Sequence, residues 1–322
     1  MTAIHPRGRL VVLHGSTLPP ATERIEQLAE TVYSTEDELP YLLPGADALF
    51  AWITLTPALR KAWPDDPDLA PRWVHAASAG VDPFLFPALT TNPDLTLTNS
   101  RGVYERPIAE YVLSLVLALA KDLPGTLEHQ RRREWRPRDS DTVTGRTALV
   151  WGTGPIGRAV ARLLSAVGMR VTGAGRTARP TDPDFGSVHG PATLRGALAE
   201  ADYVVLAAPL TDQTRGMVDT AALRAMKPGA RLVNVGRGAL VDEQALTSHL
   251  AEGRLAGAAL DVFAEEPLPR TSPLWDMPGV IVSPHTAGES TGHREALADL
   301  FLDNLRRRVE GRPLRNVVPL TP

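Results

Sequence analysis

The chain of 322 residues contains no cysteine. Disulfides, thiolate nucleophiles and thiolate metal sites are therefore excluded. Aromatic residues make up only 5% of the chain, and neither sign of charge dominates. The 34 Lys and Arg stand against 37 Asp and Glu, for a formal net charge of -3. Such a balance leaves no electrostatic footprint for nucleic acid. The dense basic runs, Arg131-Arg132-Arg133 and Arg306-Arg307-Arg308, lie in mixed-charge helical surroundings and read as solvated faces. Long hydrophobic runs are missing too. Residues 10–13 are too few for a signal-peptide core or a membrane span, and residues 111–120, flanked by Glu110 and Lys121, read as a buried helix. The expectations are no nucleic-acid partner, no membrane partner, no metal and a cytoplasmic location.

What is present is a regular alternation. Hydrophobic residues make up 43% of the chain and charged residues 22%, as in a soluble globular protein, and the length suits two domains. Strand-like and helix-like segments follow one another throughout, the mark of parallel α/β architecture. Strands are predicted at residues 9–13, 48–55, 73–76 and 95–98. A helix is predicted at 22–32, with Ile25, Leu28 and Ala29 on one face. A long apolar helix at 107–119 carries Pro107 early, where a missing N–H costs little. A polar, Arg-rich segment runs on to Arg138. The chain then restarts, with strands at 147–150, 170–173, 203–206, 231–235, 258–261 and 280–282. Helices are predicted at 156–167, 194–199, 242–250 and 294–309. The fold expected is α/β, a first, smaller α/β layer ending near Asn99 and then a doubly wound parallel sheet.

The strand at 147–150 leads into Val150-Trp151-Gly152-Thr153-Gly154-Pro155-Ile156-Gly157. A strand, a G-x-G-x-x-G turn and a helix form the context of a dinucleotide-binding loop. Gly152 permits the turn, Gly154 lets the backbone approach a pyrophosphate, and Gly157 lets helix and strand pack closely. The helix start offers free N–H groups and a positive dipole end to the phosphates. About 20 residues on, such units usually place an acid on the ribose 2′-hydroxyl. Here Gly175 holds that place, followed by Arg176 and Thr177. Glycine leaves room for a 2′-phosphate and a guanidinium can bind it. The expected cofactor is NADP, with NAD possible. Arg179 either shares the phosphate or is merely solvated.

Four polar residues fall where this sheet presents ligands, beyond the carboxyl ends of its strands. They are Arg237, Asp261, Glu266 and His285. Carbonyl reduction needs a hydride donor, a proton donor and a group that polarises the oxygen. A histidine supplies the proton near neutral pH, and a carboxylate beside it favours imidazolium and fixes its tautomer. An arginine clamps a substrate carboxylate and its carbonyl.

The chain resembles the D-isomer-specific 2-hydroxyacid dehydrogenase family over nearly its whole length, most closely the glyoxylate/hydroxypyruvate reductase branch. The resemblance rests on Ser78-Ala79-Gly80-Val81-Asp82, Ile108-Ala109-Glu110-Tyr111, the glycine loop, Ala208-Pro209-Leu210-Thr211, Asn234-Val235-Gly236-Arg237-Gly238, Ala259-Leu260-Asp261-Val262-Phe263, Glu266-Pro267, Pro273-Leu274-Trp275 and Pro284-His285. It implies that Arg237 binds the substrate's carboxylate and carbonyl. It makes His285 the acid/base and Glu266 its partner, and sets Asp261 near the nicotinamide. The backbone at Ala79, Gly80 and Val81 is implied to hold the substrate carboxylate. Ala208, Pro209, Val235, Gly236, Ala287 and Gly288 are implied to line the cofactor pocket. It further implies a homodimer, with Trp135 reaching the neighbour's active site. The fold it implies is two doubly wound, parallel-sheet, Rossmann-like domains separated by an active-site cleft, with a discontinuous substrate domain, residues 1–100 with 287–322, around a nucleotide domain at 101–286. The activity implied is hydride transfer between NADP(H) and a small 2-oxo or 2-hydroxy acid. Two other readings are the same chemistry on a bulkier 2-oxo acid or a phosphoglycerate, and a catalytically silent dinucleotide sensor.

Overall fold

A computed structural model of the protein describes residues 8–320. The chain divides into two compact units, one formed by residues up to Tyr104 together with those from Thr291 onward, the other by Glu105–Ser290.

The first unit is built on five parallel strands: β1 (Arg9–Leu13), β2 (Glu30–Ser34), β3 (Ala48–Ala51), β4 (Trp73–Ala76) and β5 (Thr96–Asn99). Their order is β5-β4-β3-β1-β2, and the terminal strand Val317–Val318 adds antiparallel to β5. The order reverses direction once, which is the doubly wound arrangement. Both faces of the sheet are covered, so its central strands are apolar at nearly every position. Val11 and Leu13 point into one cluster with Leu49, Val74 and Leu97. Leu10 and Val12 point into the other, with Phe50, Trp73 and Phe301. Phe301 comes from the terminal helix His293–Val309 and stacks on Phe50 at 3.8 Å between ring centroids.

One predicted element differs here. The helix expected at 22–32 ends at Glu26, and residues 30–34 form β2. Ile25 and Ala29 are buried as expected. Thr31, Val32 and Tyr33, however, favour extended backbone, and each residue of β2 faces one of β1, from Arg9↔Glu30 to Leu13↔Ser34. A five-residue ladder outweighed a weak helical period.

The second unit carries eight strands: β6 (Thr147–Trp151), β7 (Arg170–Ala174), β8 (Arg179–Asp182), β9 (Gly186–His189), β10 (Tyr203–Leu206), β11 (Arg231–Asn234), β12 (Gly257–Leu260) and β13 (Val280–Val282). Their order is β13-β12-β11-β10-β6-β7-β9-β8, all parallel except the β8–β9 pair. From β6 the chain winds one way to β7 and β9; from β10 it winds the other. The switch point therefore lies between β6 and β10, and open α/β sheets take their ligands beyond the carboxyl ends of the strands at such a point. The β8–β9 hairpin was not expected from the sequence. The helical surroundings read for Arg131-Arg132-Arg133 are the helix Leu123–Arg132, which occupies part of the polar segment and buries none of its residues.

Among the described residues, no helix is long and apolar enough to cross a membrane. No group of three or more His, Asp or Glu there could hold a metal ion.

Candidate active site

The glycine loop follows β6 at the switch point, and each of its three glycines has a different reason. Gly152 has φ 126°, and a Cβ there would lie 2.4–2.5 Å from the backbone of Ala207 and Ala208. Only glycine fits such a turn. A Cβ on Gly157 would come 1.9 Å from the carbonyl oxygen of Gly152, so the helix Pro155–Ala166 packs on the loop by backbone contact. Beside Gly154 there is open space. Pro155 occupies the first helical turn, and among the described residues no acceptor takes the N–H of Ile156 or Gly157. The loop thus offers an open face and free donors at a helix start, which fits a pyrophosphate. Thr153 lines the same loop: its Oγ1 stands 3.2 Å from the position of a Cβ on Gly175.

At the end of β7, Arg176 and Thr177 are exposed. Arg176 makes no hydrogen bond or ion pair with any described residue. Arg179 is neither free nor simply solvated. Its Nε donates to Asp182 at 3.0 Å. Asp182 is buried and also accepts from Arg158 at 3.0 and 3.1 Å and from the N–H groups of Asp184 and Phe185. The Arg158 hydrogen bonds hold its carboxyl down, to about 2, against the opposing effect of burial. This cluster ties the β8–β9 hairpin to the helix that follows the glycine loop.

Beyond β11, β12 and β13 the expected polar residues converge. Arg237 follows β11 in extended backbone (φ -144°, ψ 145°), and one of its terminal nitrogens donates to the Gly236 carbonyl at 2.9 Å. The loop that presents it is clamped by Asn234, which is buried at the end of β11. The Asn234 amide donates to the Arg237 carbonyl at 3.0 Å and accepts from the Gly236 N–H at 3.1 Å. A Cβ on Gly238 would overlap the Phe263 backbone, which fixes the far side of the loop against the segment carrying Glu266.

His285 follows β13 with φ 55°, a left-handed backbone that side-chain-bearing residues rarely adopt. Its Nδ1 meets Glu266 Oε2 at 2.8 Å, and Glu266 Oε1 accepts from the Phe263 N–H at 3.0 Å. Burial pushes the Glu266 carboxyl up. The hydrogen bonds from His285 and Phe263 and the charges of His285 and Arg237 outweigh it, so the pKa lies below its usual value. An ionised carboxylate only accepts hydrogen bonds, so the proton between the two groups is on Nδ1. Nε2 is then the nitrogen free to exchange a proton with a substrate. Asp261, at the end of β12, lies buried behind His285, with its oxygens turned to Ser283, Thr286 and Ala287.

The structure thus brings Arg237, Glu266 and His285 together in one unit with the glycine loop. Ala208, Val235 and Ala287 are buried, Gly236 and Gly288 half-buried and Pro209 exposed, all in that unit. Ala79, Gly80 and Val81 belong to the other unit, at the end of β4. Trp135 is almost fully exposed. Sequence reasoning gave no role to Asn234 or Ser283. The available signal was position: a short polar side chain directly at or after the end of a strand.

A model of the D-isomer specific 2-hydroxyacid dehydrogenase NAD-binding domain matches residues 113–287, more than half of the chain. The chain belongs to the D-isomer specific 2-hydroxyacid dehydrogenase family. As a member it is an oxidoreductase dependent on a nicotinamide dinucleotide. It is 37% identical to a glyoxylate reductase of Thermococcus gammatolerans over 67% of the chain and 66% of that enzyme, slightly under two thirds of its length. It is also 37% identical to glyoxylate/hydroxypyruvate reductase B of Pectobacterium carotovorum, over 77% of the chain and 80% of that enzyme. Among solved structures, a D-isomer specific 2-hydroxyacid dehydrogenase of Xanthobacter autotrophicus in complex with NADPH is 31% identical, with a TM-score of 0.80. That match covers 98% of both chains.

Proposed function

We propose that the protein is an NADPH-preferring reductase of small 2-oxo acids of the glyoxylate and hydroxypyruvate type. The observation that carries this reading is the grouping of Arg237, Glu266 and His285 at three neighbouring strand ends, in the same unit as a loop shaped for a dinucleotide. The relatives named for glyoxylate and hydroxypyruvate, and the NADPH-bound Xanthobacter structure, support the same choice.

The glycine loop, with Ala208, Pro209, Val235, Gly236, Ala287 and Gly288, would hold the dinucleotide. Arg176 and Thr177 beside Gly175 would take its 2′-phosphate, since the Arg176 guanidinium is uncommitted and a carboxylate is lacking at 175. Bound there, the cofactor supplies hydride to the carbonyl carbon. Arg237 fixes the substrate's carboxylate and polarises its carbonyl, which removes orientational freedom before reaction. His285 gives the proton from Nε2 to the oxygen as charge develops on it. Glu266 holds the ring by Nδ1 and so aims Nε2 at the substrate.

The first unit is assigned as the substrate domain. Its loop after β4 is shaped by Ser78, whose hydroxyl donates to the Gly80 carbonyl at 2.6 Å. Asn99 supports it by donating to the Ala79 carbonyl at 2.8 Å. With both carbonyls occupied, the amides of Ala79, Gly80 and Val81 are the groups this loop offers to a carboxylate. The exposed Trp135, on the segment after the helix Leu123–Arg132, is assigned to a homodimer, as the residue that enters the neighbour's site.

His285→Ala should abolish turnover and leave NADPH binding intact, measured by steady-state rates and by NADPH fluorescence titration. Turnover near the wild-type rate would remove His285 from the role of acid/base.

A further inference from the structure

Asp261 is among the most completely buried charged residues of the chain, at 1% exposure. Among the described residues no Lys or Arg pairs with it. A buried carboxylate is costly unless hydrogen bonds replace the lost water, and here every one comes from a single segment. Ser283 Oγ donates to Asp261 Oδ1 at 2.6 Å, the Thr286 N–H donates to the same oxygen at 3.0 Å, and the Ala287 N–H donates to Oδ2 at 2.8 Å. The Asp261 backbone carbonyl accepts a fourth, from the His285 N–H, at 2.8 Å. The residues before and after His285 are thus tied to one carboxylate, and His285 spans them in its left-handed conformation.

We infer that Asp261, latched through Ser283, is a positioning residue for His285, and that this role outweighs any contact with the dinucleotide. The inference rests on the reading of His285 as the proton donor. A non-glycine residue in left-handed backbone persists only where its surroundings enforce it. Asp261 enforces it from behind the turn, and Glu266 fixes the ring that the turn projects. Three of roughly four acceptor positions on the carboxylate are already filled by protein groups. An asparagine at 261 fills the same space but fails as a latch. Whichever way its amide turns, an NH2 group faces an N–H or O–H that now donates to oxygen.

The test compares Asp261→Asn, Ser283→Ala and His285→Ala, singly and as the double variants Asp261→Asn/His285→Ala and Ser283→Ala/His285→Ala. NADPH dissociation constants come from fluorescence, and kcat and KM from initial rates. A mispositioned acid costs rate rather than affinity, so Asp261→Asn should lower kcat on the order of 100-fold while the NADPH dissociation constant stays at the wild-type value. Ser283→Ala removes one bond of the latch and should lower kcat less. In the His285→Ala background neither change should lower the residual rate further, because the group they position is gone. If Asp261→Asn does not fold, Ser283→Ala and its double variant carry the comparison alone.

A dissociation constant for NADPH that rises in step with the loss of kcat would overturn the inference in favour of a cofactor contact. Equal fractional losses with and without His285 would overturn it in favour of a general structural role. Near-normal turnover of His285→Ala alone would instead remove the functional reading on which the inference rests.

Discussion

His75 gives the sharpest test of the first unit. It lies at the third position of β4, fully buried, with Phe50, Trp73 and Phe301 around it. Trp73 Nε1 donates to Thr98 Oγ1 at 2.9 Å, the Thr98 hydroxyl reaches the Val74 carbonyl at 3.4 Å, and His75 Nδ1 meets Thr98 Oγ1 at 2.8 Å. Nε2 faces Ser100 Oγ at 3.4 Å, while the Ser100 hydroxyl donates to the Ala76 carbonyl. A second proton would bury a charge among aromatic rings. Burial accordingly pushes the ring from its ordinary 6.5 down to about 3. The unfolded chain binds the proton more readily, so this contribution to stability is complete above pH 6.5 and is lost as pH falls towards 3. The gap is worth on the order of 5 kcal/mol in full, or about 1.4 kcal/mol for each pH unit. Most carboxylates titrate below the window from pH 6.5 to 4.5, so the loss there belongs largely to His75. His75→Gln keeps one donor and one acceptor but does not titrate. Denaturant unfolding followed by tryptophan fluorescence should show the wild type losing its advantage over the variant by about 2 kcal/mol across that window. Parallel stability curves would refute the reasoning.

Two glycines of the nucleotide loop separate stability from binding. Gly152→Ala forces a Cβ to 2.4 Å from Ala207 in a strained backbone and should lower the melting temperature as well as NADPH affinity. Gly154→Ala meets no described atom within 4 Å and should leave the melting temperature alone while weakening NADPH about tenfold or more, by blocking the pyrophosphate's approach. Equal thermal effects of the two would contradict the assignment. Glu266→Gln should lower kcat on the order of 10- to 100-fold with the NADPH dissociation constant unchanged, since the His285 ring loses the carboxylate that fixes its Nδ1. An unchanged kcat would count against the pair. Asp182, held down to about 2 by Arg158, contributes stability above its ordinary 3.8 that is lost as pH falls towards 2. Arg158→Met should therefore shift acid unfolding, followed by circular dichroism, to higher pH.

Much of this architecture was legible where one residue type answers one physical demand. The strands Arg9–Leu13 and Tyr203–Leu206, almost wholly buried, and the half-buried Val280–Val282 are runs rich in branched residues and lie where the sequence put them. The glycine loop was legible because a close approach to Ala207 and a helix packed on Gly152 admit nothing larger. Arg237, Glu266 and His285 stood out as polar residues just beyond apolar strands. The parts that escaped depend on partners far along the chain. Residues 30–34 become β2 through pairing with β1. β8 contains Arg179, Pro180, Thr181 and Asp182, and holds its place through Arg158 and through β9. The bounds of the helix Leu123–Arg132 were not given, because it has no buried residue and so no apolar stripe to mark them. Asn234 and Ser283 act through hydrogen bonds to loops, which leave no periodic signal.

The central claim, an NADPH-dependent reductase of small 2-oxo acids, is tested most directly by initial rates of nicotinamide oxidation at 340 nm. NADPH and NADH would each be offered with glyoxylate, hydroxypyruvate, pyruvate and a bulky aryl 2-oxo acid. The account predicts fast turnover of glyoxylate and hydroxypyruvate with NADPH and slower turnover with NADH. It also predicts that the preference moves towards NADH in Gly175→Asp, whose Cβ needs only the Thr153 hydroxyl to give way. No oxidation with any of these acids, despite tight NADPH binding, would contradict it.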